Sequence, residues 1–128
     1  MRVVLDTNVL ISALLFSGAP ERVVLALLAG RGTIVSSPFI IEETSRILRT
    51  KFEIEPAHIL LLQQLLEQSE VQYFQPYLHL LADEPDNRIL ETAEVGKAEY
   101  IVTGDKLMLA QESYRGIGII TPTDFLKI

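Results

Sequence analysis

A chain of 128 residues with 48 % apolar and 22 % charged residues is long enough to bury a hydrophobic core without covalent staples, and one domain over residues 1–128 is expected. It has no cysteine, which excludes disulfides, thiolate zinc sites and cysteine nucleophiles and fits a reducing cytoplasm. A net charge of −6 counts against a protein that binds nucleic acid through a basic surface alone, but not against an enzyme whose clustered carboxylates recruit cations.

Arg2–Leu5 is short, apolar and β-branched, which predicts a buried strand ending at Asp6. Asn8–Phe16 reads as a helix. Asp6, Thr7, Asn8 and Ser12 interrupt its apolar surroundings, so the segment is neither a signal peptide nor a membrane span. Ser17-Gly18-Ala19-Pro20 breaks the chain, and Pro20 is placed to start a helix that runs to about Ala29 and stops at Gly30. Thr33–Ser36 predicts a second strand, Pro38–Thr50 a third helix and Pro56–Gln68 a leucine-rich fourth. Val71–Phe74 reads as a strand, Pro85–Gly96 as a helix, Tyr100–Val102 as a strand, Lys106–Tyr114 as a short helix, Gly118–Ile120 as a last strand and Thr121–Ile128 as a closing segment. Short apolar strands alternating with helices predict an α/β, three-layer sandwich, with a central parallel sheet flanked by helices. No repeat, linker or low-complexity tract interrupts it.

In such sheets ligands bind beyond the carboxyl ends of the strands. Asp6 directly follows the first strand, Asp105 follows Tyr100–Val102 after Thr103-Gly104, and Asp83 and Asp86 sit at the start of the Pro85 helix. Any one of these could simply cap a helix. Their joint placement on one side of a sheet favours a site. Asp86 precedes Ile89 by three and Leu90 by four, at the top of the inward helix face, so it ranks ahead of Asp83. A further acid comes from the Pro38 helix, where Ile40, Ile41, Thr44, Ile47 and Leu48 form the buried stripe. Glu43 flanks that stripe and Glu42 points nearly opposite, so Glu43 is the better candidate. Carboxylates crowded in one pocket repel, and a divalent cation relieves the repulsion. All-oxygen ligation suits Mg²⁺ or Mn²⁺, and phosphodiester hydrolysis is the chemistry such a constellation favours.

These segments resemble, in order, the motifs of PIN-domain nucleases. Val4-Leu5-Asp6-Thr7-Asn8-Val9 resembles the opening motif, Phe39-Ile40-Ile41-Glu42-Glu43-Thr44 the segment of the second acid, Asp86-Asn87-Arg88-Ile89-Leu90-Glu91-Thr92-Ala93 the third and Tyr100-Ile101-Val102-Thr103-Gly104-Asp105 the fourth. Thr121-Pro122-Thr123-Asp124-Phe125-Leu126 is similar to the closing segment of a bacterial branch, the toxins of toxin–antitoxin systems. The resemblance implies that Asp6, Glu43, Asp86 and Asp105 hold Mg²⁺ or Mn²⁺, that Asn8 and Thr103 orient those ligands, and that RNA is cleaved by activated water without a covalent enzyme intermediate. It also implies an antitoxin partner, and a homodimer is expected. Asn87 stands where a tandem Asp is usual, which would lower the ions held from two to one.

Arg46, Arg49 and Lys51 read first as a solvated helix face, and Lys106, beside Asp105, is the better phosphate contact. His58 and His79 lack partners at metal-ligand spacing. Ile59-Leu60-Leu61-Leu62 with Leu65-Leu66 exceeds one helical stripe, which reads as core packing or as a groove for a dimer or antitoxin partner. An aspartate-nucleophile phosphatase would need a second Asp at Asn8, and no glycine-rich phosphate loop is present. A PIN-like module that binds RNA or protein without cleaving is the remaining alternative.

Overall fold

The computed structural model describes all residues 1–128. In chain order the elements are β1 (Arg2–Leu5), α1 (Thr7–Leu15), α2 (Ala19–Ala26), β2 (Thr33–Ser36), α3 (Pro38–Lys51), α4 (Pro56–Gln68), β3 (Glu70–Val71), α5 (Glu84–Val95), β4 (Tyr100–Val102), α6 (Lys106–Leu109), β5 (Ser113–Tyr114), β6 (Ile117–Ile120) and α7 (Pro122–Leu126). The sheet order is β3-β2-β1-β4-β6-β5. Every neighbouring pair is parallel except β5 and β6. This is the expected α/β sandwich with one antiparallel edge.

The apolar, β-branched composition of β1 follows from its central place. Val3 and Val4 are fully buried and Leu5 is 1 % exposed, because helices cover both faces of the sheet. Each such side chain contributes about 1.5–3 kcal/mol through burial. The register then aligns the strand ends that matter. Leu5 stands beside Val102, and Val102 beside Ile120. The Asp6 amide donates to Val102 O at 3.0 Å and the Thr103 amide to Ile120 O at 2.9 Å. The residues after β1 and β4 are therefore fixed side by side. One cluster of 27 buried apolar residues forms the core around these strands.

Three local expectations are corrected. The helix expected over Lys106–Tyr114 stops at Leu109. Ser113 and Tyr114 instead pair with Gly118 and Ile117 across a two-residue turn, Arg115-Gly116, in which both residues have positive φ (48° and 82°). That turn matches strand twist, and pairing outweighs the helix propensity of Ala110-Gln111-Glu112. The strand expected at Val71–Phe74 is only Glu70–Val71, and residues 72–83 follow without regular structure until α5. The second helix runs into an irregular turn, Leu27–Arg31, where Gly30 takes φ +102°. No single helix is long and apolar enough to cross a membrane; α1 and the α2 segment are bent by 97° to each other.

Candidate active site

At the carboxyl edge of β1 and β4 lies a cavity of about 150 Å³ whose lining includes Asp6, Glu43, Asp83, Asp86 and Asp105. All four acids singled out from the sequence reach this one pocket. The elements supply them from far apart in the chain: Asp6 ends β1, Glu43 comes from the second turn of α3, Asp86 from the first turn of α5, and Asp105 precedes α6.

Asp6 stands at the start of α1 but makes no side-chain capping bond. Its Oδ2 instead accepts from the Thr103 hydroxyl at 2.6 Å. The same Thr103 oxygen accepts from the Asp105 amide at 3.0 Å. Thr103 is fully buried, so one hydroxyl ties the β1 end to the β4 end. Asp105 does cap its helix, with Oδ1 accepting from the Leu107 and Met108 amides at 2.7 and 3.2 Å, and this leaves Oδ2 without a protein partner. Asp83, not Asp86, caps α5, with Oδ1 accepting the Asp86 amide at 3.4 Å. Asp86 is thereby left uncommitted, and it is buried where Asp83 is exposed. The helical-face reading of α3 holds as well: Glu43 is half-buried on the pocket wall and Glu42 is exposed outside it. Asn8 lines the pocket, but its exposed side chain makes no hydrogen bond to any of the acids.

The electrostatics reflect the crowding. Burial pushes the Asp6 carboxyl above its ordinary range against the opposing hydrogen bond from Thr103, and the charges of Asp105 and Glu43 add to the rise. Burial, then the charge of Asp83, and then those of Asp105, Asp6 and Glu43, push Asp86 up to about 7. A carboxyl raised on folding stabilises the fold while protonated and takes that stability away as it ionises. For Asp86 the loss runs from about pH 4, where the unfolded group titrates, to about 7. In the presence of a chelator, Asp86→Asn is expected to melt higher than the wild type at pH 8 and equally at pH 4. The gain is about 1–2 kcal/mol once solvent screening at the pocket mouth is allowed for, or about 3–8 °C. Thermal melts at the two pH values check it.

Two residues of this neighbourhood escape a reading of sequence alone. Arg88 is the one cation lining the pocket, and it is fixed by Glu91, whose side chain is fully buried. Glu91 Oε2 accepts from the amides of Tyr77 and Leu78 (2.7 Å for Leu78), while Arg88 Nη2 donates to Leu78 O at 3.0 Å and to Glu91 Oε2 at 3.2 Å. The Asn87 amide completes the staple, exchanging two 2.9 Å hydrogen bonds with the backbone of Leu81. Asn87 therefore secures the irregular 72–83 segment and does not line the pocket. The (i, i+3) spacing of Arg88 and Glu91 was the available signal. Lys106 is exposed outside the acid pocket, while Arg46 lines a groove beside it and Arg49 turns onto Ser45 O at 3.2 Å. His58 closes the start of α4, its Nδ1 accepting from the Glu55 amide at 3.1 Å.

Comparison with known proteins bears on the fold and the family. No curated protein matches the chain. Among solved structures it is similar to VapBC2 from Rickettsia felis, crystallised bound to a DNA fragment from its promoter, with TM-score 0.64 and 18 % identity over 93 % of this chain and 97 % of that one. It is also similar to a domain of a functionally unknown protein from Methanocaldococcus jannaschii, with TM-score 0.61 and 19 % identity over 94 % of this chain and 89 % of that one. At these identities the likeness is one of fold. The model of the PIN domain family matches residues 2–107, which takes in all four acids. The chain belongs to the PIN domain family.

Proposed function

We propose that this protein is a divalent-metal-dependent ribonuclease that hydrolyses RNA phosphodiester bonds, and that it acts as the toxin of a toxin–antitoxin pair. The observation that carries the catalytic part is the convergence of Asp6, Glu43, Asp86 and Asp105 on one pocket at the carboxyl edge of the sheet. Membership of a family of nucleases supports it. The alternative, a module that binds RNA or protein without cleaving, has no use for four carboxylates brought together at a cost in repulsion.

The donor set fits Mg²⁺ or Mn²⁺: every candidate ligand is a carboxylate oxygen, Asp6 and Asp86 are pushed up by burial and by the charges of neighbouring carboxylates, and a cation would relieve them. No three of the carboxyl groups stand at ligand distance of one point; Asp6, Glu43, Asp86 and Asp105 are the residues that would hold an ion. When bound, such an ion lowers the pKa of water and offsets the charge of the phosphodiester. The chain's own part is positional. Thr103 holds Asp6, the amides at the start of α6 hold Asp105, and Asp83 occupies the α5 cap so that Asp86 remains uncommitted.

Defined RNAs are expected to be cut in Mn²⁺ or Mg²⁺ and left intact with chelator; RNA uncut under every metal condition would leave the non-cleaving module. Removing the Thr103 hydroxyl alone, as Thr103→Val, should weaken metal binding or activity by about 10–100-fold while the protein stays folded. Titration of Mn²⁺ by calorimetry, with circular dichroism as the folding control, reads this. The likeness to VapBC2 supports an antitoxin partner, and the exposed Ile59 and Leu60 of α4 give it or a second copy of this chain an apolar face to cover.

A further inference from the structure

An open groove of about 330 Å³ continues the acid pocket between α3 and the start of α5. Phe39, Glu43 and Arg88 line both spaces, so the two share a wall. Arg46 and Arg88 are the only cations of the groove, set among Glu42, Glu43 and Glu84. Both guanidiniums have donors to spare. Arg88 uses Nη2 on Leu78 and Glu91, and its Nη1 faces only the exposed Glu84, at 3.6 Å. Arg46 is exposed and forms no ion pair, although Glu42 and Glu43 stand at i−4 and i−3. The half-buried ring of Phe39 lines the same groove, 6.0 Å from the Arg88 guanidinium carbon and packed against Phe74 at 5.4 Å.

We propose that this groove is the track for the nucleotide next to the cleaved bond, with its phosphate on Arg46 and Arg88 and its base against Phe39. The proposal rests on the ribonuclease reading above and adds where the strand lies. Guanidinium forks match phosphate oxygens, and an aromatic ring stacks a base without regard to its identity. A base reaches such a ring only when it is out of a duplex, so the track selects a single strand. Among the glutamates, Glu43 belongs to the acid pocket, and Glu84 keeps Asn87 Nδ2 at 3.4 Å as a partner where a phosphate takes its place on Arg88 Nη1. Glu42 is left as the charge that opposes a phosphate, and its sign supplies an independent check.

The test uses the full chain and a fluorescein-labelled 12-nucleotide single-stranded RNA. Arg46→Gln is expected to raise KM about 5–10-fold, with a smaller change in kcat, and to flatten the salt dependence by about 0.7 in the log–log slope, the loss of one phosphate contact on a single strand. Glu42→Gln should lower KM. Phe39→Leu should raise KM and Phe39→Tyr restore it. Lys51→Gln makes the same charge change on the same helix outside the groove and should match the wild type. Arg46→Gln with wild-type KM and salt slope, in protein that cleaves, overturns the track and leaves the nuclease reading standing. Wild type that cleaves nothing overturns the nuclease reading, and the track is then decided by anisotropy with the same RNA: weaker binding by Arg46→Gln supports it and equal binding overturns it.

Discussion

Asp6→Asn is expected to lower kcat/KM for RNA cleavage by about 10³-fold or more, roughly 4 kcal/mol of transition-state stabilisation, while raising the melting temperature in the presence of chelator. The two effects have opposite signs because one carboxylate does two things. It is 7 % exposed, pushed up by burial and by the charges of Asp105 and Glu43, so its ionised form costs the fold stability. The same charge at the β1 end is what a cation would find there. Asparagine keeps the size and can still accept from the Thr103 hydroxyl, so the pocket keeps its shape and loses a charge. Activity lost from a protein that has become more stable cannot be ascribed to unfolding. Cleavage unchanged in Asp6→Asn would end the metal-site reading, and equal Mn²⁺-induced thermal shifts in the wild type and in Asp6→Asn/Asp86→Asn would do so independently.

Truncating Glu91 is expected to be the most destabilising single change near the site, by about 3–5 kcal/mol. Glu91→Leu leaves the Arg88 guanidinium without its buried partner and the Tyr77 and Leu78 amides without their acceptor, all at a position with no exposure. A removed partner in a buried pair costs more than the pair is worth, because the remaining charge stays desolvated. The double variant Arg88→Leu/Glu91→Leu should therefore be more stable than Glu91→Leu alone. Urea titrations of the single and double variants measure the coupling, and amide exchange at Tyr77 and Leu78 should quicken first, since the 72–83 segment hangs on this pair. A Glu91→Leu protein within about 1 kcal/mol of the wild type would show that the pair is not what holds the segment.

Most of the site could be read from the sequence because it sits where regular elements meet. Asp6 and Asp105 follow β-branched runs that can only be buried strands, and strand ends are where α/β sheets place ligands. The preference for Glu43 over Glu42 and for Asp86 over Asp83 needed only helical periodicity, and both preferences match the side-chain placements. Asp105 shows why a capping residue and a site residue need not be rivals, for one oxygen caps α6 and the other stays free. The parts that could not be read depend on irregular chain. Arg88 and Glu91 look like an ordinary helix-surface pair until residues 77–81 fold against them. The 110–114 stretch has helical composition, and only the Arg115-Gly116 turn pairing Tyr114 with Ile117 makes it a strand. Asn8 reads as an orienting residue from its motif, yet its amide is free.

The central position of β1 has a further consequence, for the order in which the acid pocket is completed as the chain is made. β1 is made first and can pair with β2 soon afterwards, but its other neighbour is β4, and the hydroxyl that holds Asp6 lies 97 residues downstream. A chain still growing on the ribosome, folding from its N-terminus as it emerges, lacks that hydroxyl and lacks Asp105 until β4 and the residues that follow it have been made. If the chain cleaves RNA, the translation machinery that makes it handles a harmless precursor until then. On that reading activity arrives in one step, when β4 slots in beside β1, and a toxin built this way would need its neutralising partner from that step and not before.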